Sequence, residues 1–378
     1  MLVRENHCDV LIVGGGPAGL AAALALRQRG ADVLVADAQM PPVDKACGEG
    51  IMPDSRRDLA RLGIELDASC GAAFHGIRFC DERSSVTAEF PAGFSGGIGV
   101  RRTILHLLLA DRAAAAGVRF AWQTSVELTP SRPVALNGKP VQYQYLVGAD
   151  GQTSRVRGWA GLEESNLLTS RFGFRVHYRV PAWSEYAEVY WSSLGQAYVT
   201  PVGENEVCVS YVTHFTQTVR SKELLESIPA LRERLQSADK LGRERGALTT
   251  TRRLRHVAAR NIALVGDASG SVDAVTGEGL ALGFRQSLLL ADAVERSDLS
   301  LYDREHPQIM RLPHKMSRVL LLMDRWQLLR SRALRALARE PHLFSELLRV
   351  HLGDEPLKEF LLRYAPELGL RILLPSLA

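Results

Sequence analysis

The sequence predicts an α/β chain: a parallel-sheet domain assembled from separated segments, a mixed β-sheet domain inserted into it, and a helical C-terminal region. Three observations carry this prediction. Apolar runs without polar alternation recur at residues 9–13, 141–147 and 262–265, as in parallel strands buried on both faces. Residues 172–180, 188–191, 196–202 and 206–213 show period-two alternation instead, with Val207, Val209 and Tyr211 on one side. From Leu280 onward the apolar spacing is helical almost throughout.

The first 37 residues set the organisation. Asp9 to Val13 form a strand, Gly14-Gly15-Gly16-Pro17-Ala18-Gly19 turns the chain, residues 20–29 read as a helix stopped by Gly30, and residues 31–37 return as a strand ending on Asp37. This is a βαβ unit with G-x-G-x-x-G at Gly14, Gly16 and Gly19, and an acid 18 residues after the last glycine. Gly14 permits the tight turn, Gly16 lets the backbone approach a pyrophosphate, and Gly19 lets the helix sit close to the strand. The helix N-terminus offers free N–H groups to an anion, and Asp37 can accept hydrogen bonds from ribose hydroxyls.

Further along, residues 41–53 form a loop before a helix at 54–62, which Asp54 could cap. Residues 76–90 carry short strands. Residues 102–117 form a helix with Leu105, Leu108, Leu109 and Ala113 at helical spacing, and residues 118–122, 125–128 and 141–147 are strands. Residues 222–235 read as one helix. These elements divide the chain into a discontinuous nucleotide-binding domain (1–72, 98–160 and 255–300), a β-rich domain (73–97 and 161–254) and a helical region (301–378).

Composition narrows the function classes. At 378 residues with 46% hydrophobic content the chain suffices for about two or three units of an ordinary globular protein. The formal charge is +4, yet eight Lys or Arg lie between Arg311 and Arg339 against one acid, Asp324. An apolar face shared with these residues admits a solvated helical face or a docking surface for an anionic membrane; no recognition motif or interleaved aromatic pattern points to nucleic acid. The five cysteines (Cys8, Cys47, Cys70, Cys80, Cys208) form no C-x-x-C pair, and the histidines show no ligand spacing, so neither a metal site nor a disulfide framework is expected. The first strand starts within nine residues of Met1 with no basic-then-apolar leader, and no apolar run is long enough to span a bilayer, which predicts a cytoplasmic protein.

Two later motifs complete a resemblance. Gly148-Ala149-Asp150-Gly151 resembles the DG fingerprint of flavoprotein monooxygenases of the p-hydroxybenzoate hydroxylase fold, and Gly266-Asp267-Ala268 with Thr276-Gly277-Glu278-Gly279-Leu280 resembles their second FAD fingerprint. The resemblance implies a glutathione-reductase-type Rossmann FAD domain. It places Gly14, Gly16, Pro17, Ala18, Gly19, Asp37, Arg102, Val126 (through its main chain), Asp150, Asp267, Gly277, Gly279 and Leu280 around FAD, with Arg101 competing for the role of Arg102. Lys45-Ala46-Cys47-Gly48-Glu49-Gly50 is similar to the K-x-C-G segment of the geranylgeranyl reductase branch, which adds Lys45 and Gly48 to the cofactor set. The paired-tryptophan signature of flavin halogenases is missing, since Trp191 stands alone.

The resemblance implies an FAD-dependent monooxygenase that hydroxylates or epoxidises a lipophilic, aromatic or polyketide small molecule in secondary metabolism. The alternatives are a flavin ene-reductase, in which Cys47 donates a proton with its pKa lowered by Lys45, and a non-catalytic lipid carrier. For Cys47 itself the plain reading is a small residue that lets the loop pack closely. With one dinucleotide fingerprint, NAD(P)H would bind transiently or a separate flavin reductase would deliver electrons. His75, His177 and His214 lie beside the β-rich block, and none is assigned to catalysis.

Overall fold

A computed structural model describes residues 7–130, 132–214 and 219–373; the segment before His7, read above for a leader, lies outside them. His7–Val13 is the centre of a six-stranded sheet. It pairs in parallel with Gln142–Gly148 on one side and Val33–Ala36 on the other; Ile262–Leu264 and Arg119–Ala121 extend the parallel set, and Ala258–Ala259 closes one edge antiparallel. The unalternating apolar run is explained by cover on both faces. Val10 and Ile12 pack under the helices Pro17–Gln28, Arg102–Ala115 and Gly279–Glu295, while Leu11 and Val13 face Val134, Val141, Val156 and Leu162.

A second sheet has seven strands in the order Asp239–Leu254, Ser165–Arg179, Glu206–Thr213, Gly195–Gly203, Ala187–Trp191, Gly76–Cys80 and Ser85–Glu89. Only the pairing of Ala187–Trp191 with Gly76–Cys80 is parallel. Strand alternation sorts its side chains into two sets. Val176, Tyr178, Val199, Val207, Val209 and Tyr211 pack with Leu224, Leu231 and Leu235 of two short helices. The opposite face carries Arg171, Arg175, His177, Gln196, Tyr198, Thr200, Cys208 and Ser210, an unusually polar inner surface.

Five helices from Leu299–Arg325 to Ala365–Leu373 cover the outer strands of this sheet, with Met323, Leu334, Leu337, Phe344 and Leu348 packed against Val86 and Ala88. Among the described residues no helix is long and apolar enough to cross a membrane.

Two local expectations are corrected and one strand is added. Residues 222–235 are two helices, Ser221–Glu226 and Pro229–Leu235, because Pro229 cannot donate to the preceding turn and starts a new helix at its first position. Asp54 does not cap: Pro53 begins its helix after Met52, and the Asp54 carboxylate is bound by Arg285. The 16-residue strand Asp239–Leu254 carries no sequence signal of its own, since an exposed edge strand rich in Lys, Arg and Glu shows no apolar alternation.

Candidate functional site: a cavity from glycine turn to helical cover

One cavity of about 1010 Å³ runs from the glycine turn of the first sheet, between the two sheets, to the C-terminal helices. Its first end is built from backbone. Gly14 has φ +112°, and a Cβ there would lie 2.4 Å from the Ala149 carbonyl oxygen; a Cβ at Gly19 would lie 1.9 Å from that of Gly14. Both positions therefore require glycine for packing. Gly16, by contrast, borders open space at the start of a helix whose first turn has no side-chain cap, which leaves donors free to face a ligand. Asp37 accepts the Gly15 N–H at 2.6 Å and the Gln39 N–H at 2.8 Å, and each oxygen keeps a further lone pair.

The middle is formed by the loop before Gly50 and by the turn at 276–280. Gly48, Gly151, Gly277 and Gly279 all border open space on the cavity wall. Arg102 also lines the cavity, and its buried Nε has no hydrogen-bond partner, whereas Arg101 is bound to Glu206. Asp267 opens onto the cavity and is otherwise enclosed; that enclosure raises its carboxyl pKa against the pull of Arg102 and Lys45. Asp150 lines the same wall while accepting the Ser154 hydroxyl and the N–H groups of Arg155 and Val156, which fixes the turn of the DG motif.

Of the residues named from the sequence, Gly14, Gly16, Pro17, Ala18, Asp37, Lys45, Cys47, Gly48, Arg102, Val126, Asp150, Asp267, Gly277, Gly279 and Leu280 meet on this one surface. Gly19 lies beneath it. One expectation is overturned: the Cys47 thiol is not acidified by Lys45. Enclosure by protein raises its pKa, and the leading opposing charge is Arg102. Its loop is held by Ser210, whose hydroxyl donates to the Cys47 carbonyl at 2.9 Å.

Sequence reasoning missed the supports behind this wall. His106 accepts the Val43 N–H at Nδ1, 2.9 Å away, so its Nε2–H donates to the Gly15 carbonyl at 2.7 Å. Burial lowers its pKa, which keeps that neutral tautomer in place. Glu49, at φ +60°, accepts the Arg102 N–H at one oxygen, 2.9 Å away, and His177 Nε2–H at the other, 2.6 Å away. Arg175 donates to His177 Nδ1 at 2.7 Å and fixes this tautomer. Glu49, His177 and Cys208 are the single trio of ligand-type side chains within 4.8 Å among the described residues; their internal bonds and the adjacent Arg175 guanidinium oppose a cation there.

The far end is apolar, lined by Phe74, Ile77, Phe79, Val189, Met323 and Phe344. Its cover is anchored by a buried polar knot. Asp324, the lone acid of the basic stretch, accepts from Arg171 at 3.1 Å and from Gln196 at 2.9 Å and lies 2.7 Å from His214; Arg171 also binds Asp273.

The open glycine cradle, the unpartnered Arg102 Nε and the carboxylates at Asp37 and Asp267 suit a dinucleotide with a diphosphate and polyol chain, and thereby define a dinucleotide-binding protein. Comparison with known proteins agrees: an FAD binding domain family matches residues 7–295, and the chain belongs to that family of FAD-dependent oxidoreductases. It is 27% identical over 333 residues to a menaquinone reductase of Mycolicibacterium smegmatis, covering 81% of each chain. It is 28% identical over 331 residues to digeranylgeranylglycerophospholipid reductase 1 of Methanothermobacter thermautotrophicus, covering 79% of this chain and 81% of that one. In fold it is similar to a flavoprotein/dehydrogenase from Cytophaga hutchinsonii (TM-score 0.75, 19% identity, 92% and 93% coverage). It is also similar to p-nitrophenol 4-monooxygenase from Pseudomonas putida (TM-score 0.69, 16% identity, 84% and 89% coverage).

Proposed function

We propose that the chain is an FAD-dependent ene-reductase that saturates a carbon–carbon double bond in a lipophilic, isoprenoid-like substrate. The observation that carries this is the position and state of Cys47. Its thiol opens onto the cavity between the glycine-lined cradle and the apolar end, and enclosure holds it protonated, as a proton donor must be. The two reductase relatives, whose names specify a menaquinone and a digeranylgeranyl lipid, support the reaction type and the substrate class.

When bound, reduced FAD would supply the hydride chemistry at one alkene carbon. Arg102 and the cradle glycines would hold the diphosphate, Asp37 the ribose and Asp267 the ribityl hydroxyls. Glu49 and Ser210 fix the loop so that the thiol delivers a proton to the other carbon, and Phe74, Phe79 and Phe344 exclude water from the alkene. Electrons come from NAD(P)H bound transiently or from a separate flavin reductase. A Cys47→Ser variant should keep its FAD and lose at least about 100-fold in turnover with menaquinone or a digeranylgeranyl glycerophospholipid; unchanged turnover contradicts the role.

The second reading is oxygen insertion into an aromatic or polyketide substrate, favoured by the same water-excluding apolar end. A non-catalytic lipid carrier is disfavoured by the open glycine cradle and the unpartnered Arg102 Nε. Substrate entry would follow the basic rim. Val319, Leu322 and Trp326 form an exposed stripe beside Lys315, Arg318 and Arg325, and Val319 also lines the cavity. That pattern suits an anionic bilayer surface, so co-sedimentation with anionic but not zwitterionic vesicles is expected, and equal binding to both contradicts it.

A further inference from the structure

A second, smaller cavity of about 350 Å³ lies behind the turn at 276–280. Charged and apolar side chains share its wall: Asp54, Asp58, Glu278 and Arg285 line it together with Ile309, Leu312 and Leu352. Glu278 stands between two glycines that face the main cavity, yet its own side chain lines the second one. It is only 4% exposed, and its Oε2 has no hydrogen-bond partner. Asp54, 6% exposed, likewise leaves Oδ1 without a partner while Oδ2 binds Arg285. Both oxygens are sealed from water-sized space, so a negative charge left on either without a partner is costly and a protonated carboxyl relieves that cost.

His351 completes the arrangement. It lines both cavities, and its Nδ1 lies 4.0 Å from Glu278 Oε2. The groups facing Glu278 come from three helices: Asp54, Arg57 and Asp58 from Pro53–Arg61, Arg285 from Gly279–Glu295, and His351 from Pro341–His351. Burial raises the Glu278 carboxyl pKa, while His351 and Arg285 draw it down. The net direction is upward, which favours the protonated carboxyl, the form that can donate.

We propose that Glu278 and His351 form a proton relay that carries protons from the second cavity to the flavin cavity. Every turnover needs one. In alkene reduction by a nicotinamide donor, the hydride comes from the donor and one proton comes from solvent; oxygen insertion with the same donor also takes up one proton, which leaves in water. The relay thus holds for either reaction of the proposed function and rests only on the chain being an FAD-dependent oxidoreductase. The sequence of transfers conserves charge: Glu278 gives its proton to His351, the imidazolium releases one into the flavin cavity, and solvent in the second cavity reprotonates Glu278.

The test needs no substrate. The FAD-loaded protein is mixed anaerobically with reduced methyl viologen, which supplies electrons without protons, in the presence of a pH-indicator dye. Two-electron reduction of the bound flavin then draws in one proton from the medium. In Glu278→Gln and His351→Gln, FAD content and the oxidised visible spectrum should match the parent, while proton uptake, and with it the two-electron bleaching that forms the flavin N5–H bond, slows at least about tenfold. Infrared difference spectra, reduced minus oxidised, should show a carboxylic-acid carbonyl band that shifts in D₂O and disappears in Glu278→Gln. Proton uptake and bleaching at the parent rate in both variants overturn the relay, as does a carboxylic-acid band that persists in Glu278→Gln. Loss of FAD from the variants would assign these residues to cofactor retention and would also overturn it.

Discussion

The two ends of the main cavity are built from different materials. At the glycine turn the wall is main chain: Gly14, Gly16, Gly151, Gly277 and Gly279 present backbone, and Gly14 and Gly19 tolerate no added atom without a shift of backbone. At the far end the wall is side chain: Phe74 and Phe79 from strands, and Met323 and Phe344 from the helical cover, which Asp324 tethers to the sheet through Arg171 and Gln196. A backbone wall fixes one ligand shape, because a main-chain clash cannot be relieved by a rotamer change. A side-chain wall can be recut to another substrate while the same cofactor stays in place.

The sharpest way to break the comparison is at Gly19. Gly19→Ala places a methyl 1.9 Å from the Gly14 carbonyl oxygen, so the helix must move off the strand. The expected cost exceeds about 3 kcal/mol, with FAD lost on gel filtration; a variant that keeps FAD and its melting temperature would refute the rigid-wall account. A smaller effect is expected at Asp324. Asp324→Ala removes an acceptor from Arg171 and Gln196, at about 2 kcal/mol, since Asp273 still pairs with Arg171. Its FAD affinity should be unchanged and hydrogen exchange in residues 299–351 faster; uniform loosening that includes the glycine turn would show the ends to be coupled.

The smallest effect concerns pH and sharpens the same contrast. His306 and His314, on the long helix of the cover, have pKa values lowered to about 4, chiefly by burial; Arg253 and Arg318 add to the effect at His314. A lowered histidine pKa means the unfolded chain binds protons first. The stability these groups contribute is present above about pH 6.5 and is lost as the pH falls from there towards 4. Thermal unfolding at pH 5 should show the cover weakened by about 1 kcal/mol or more relative to pH 7, ahead of FAD release. FAD release preceding the loosening of residues 299–351 would contradict that order.

The same difference explains what could be read from the sequence. Gly14, Gly16 and Gly19 announce their roles because a backbone requirement leaves one residue type at one spacing, and the strand at 7–13 is legible because cover on both faces enforces an unbroken apolar run. The partners of Asp324 are not legible: Arg171 lies 153 residues away, and only the fold brings them together. Glu49 was visible inside the K-x-C-G-E-G segment, yet its bond to His177 depends on a strand 128 residues further on. The edge strand at 239–254 had no apolar signal to give. The Pro229 break, by contrast, was written in the chain, and the continuous apolar spacing of residues 222–235 obscured it. The raised pKa of Cys47 illustrates a further limit. Lys45, its neighbour in sequence, suggested an acidified thiol, while enclosure, which only the three-dimensional structure reveals, sets the opposite direction.

The most direct test of ene-reduction is anaerobic. The FAD-loaded protein, fully reduced, is mixed without oxygen with an isoprenoid alkene in D₂O while flavin colour is followed. Colour is expected to return without oxygen, the saturated product to carry solvent deuterium, and Cys47→Ser to slow the return at least about 100-fold with FAD retained. Colour that returns only on admission of oxygen, with an oxygen atom inserted in the product, would contradict it and establish the monooxygenase reading.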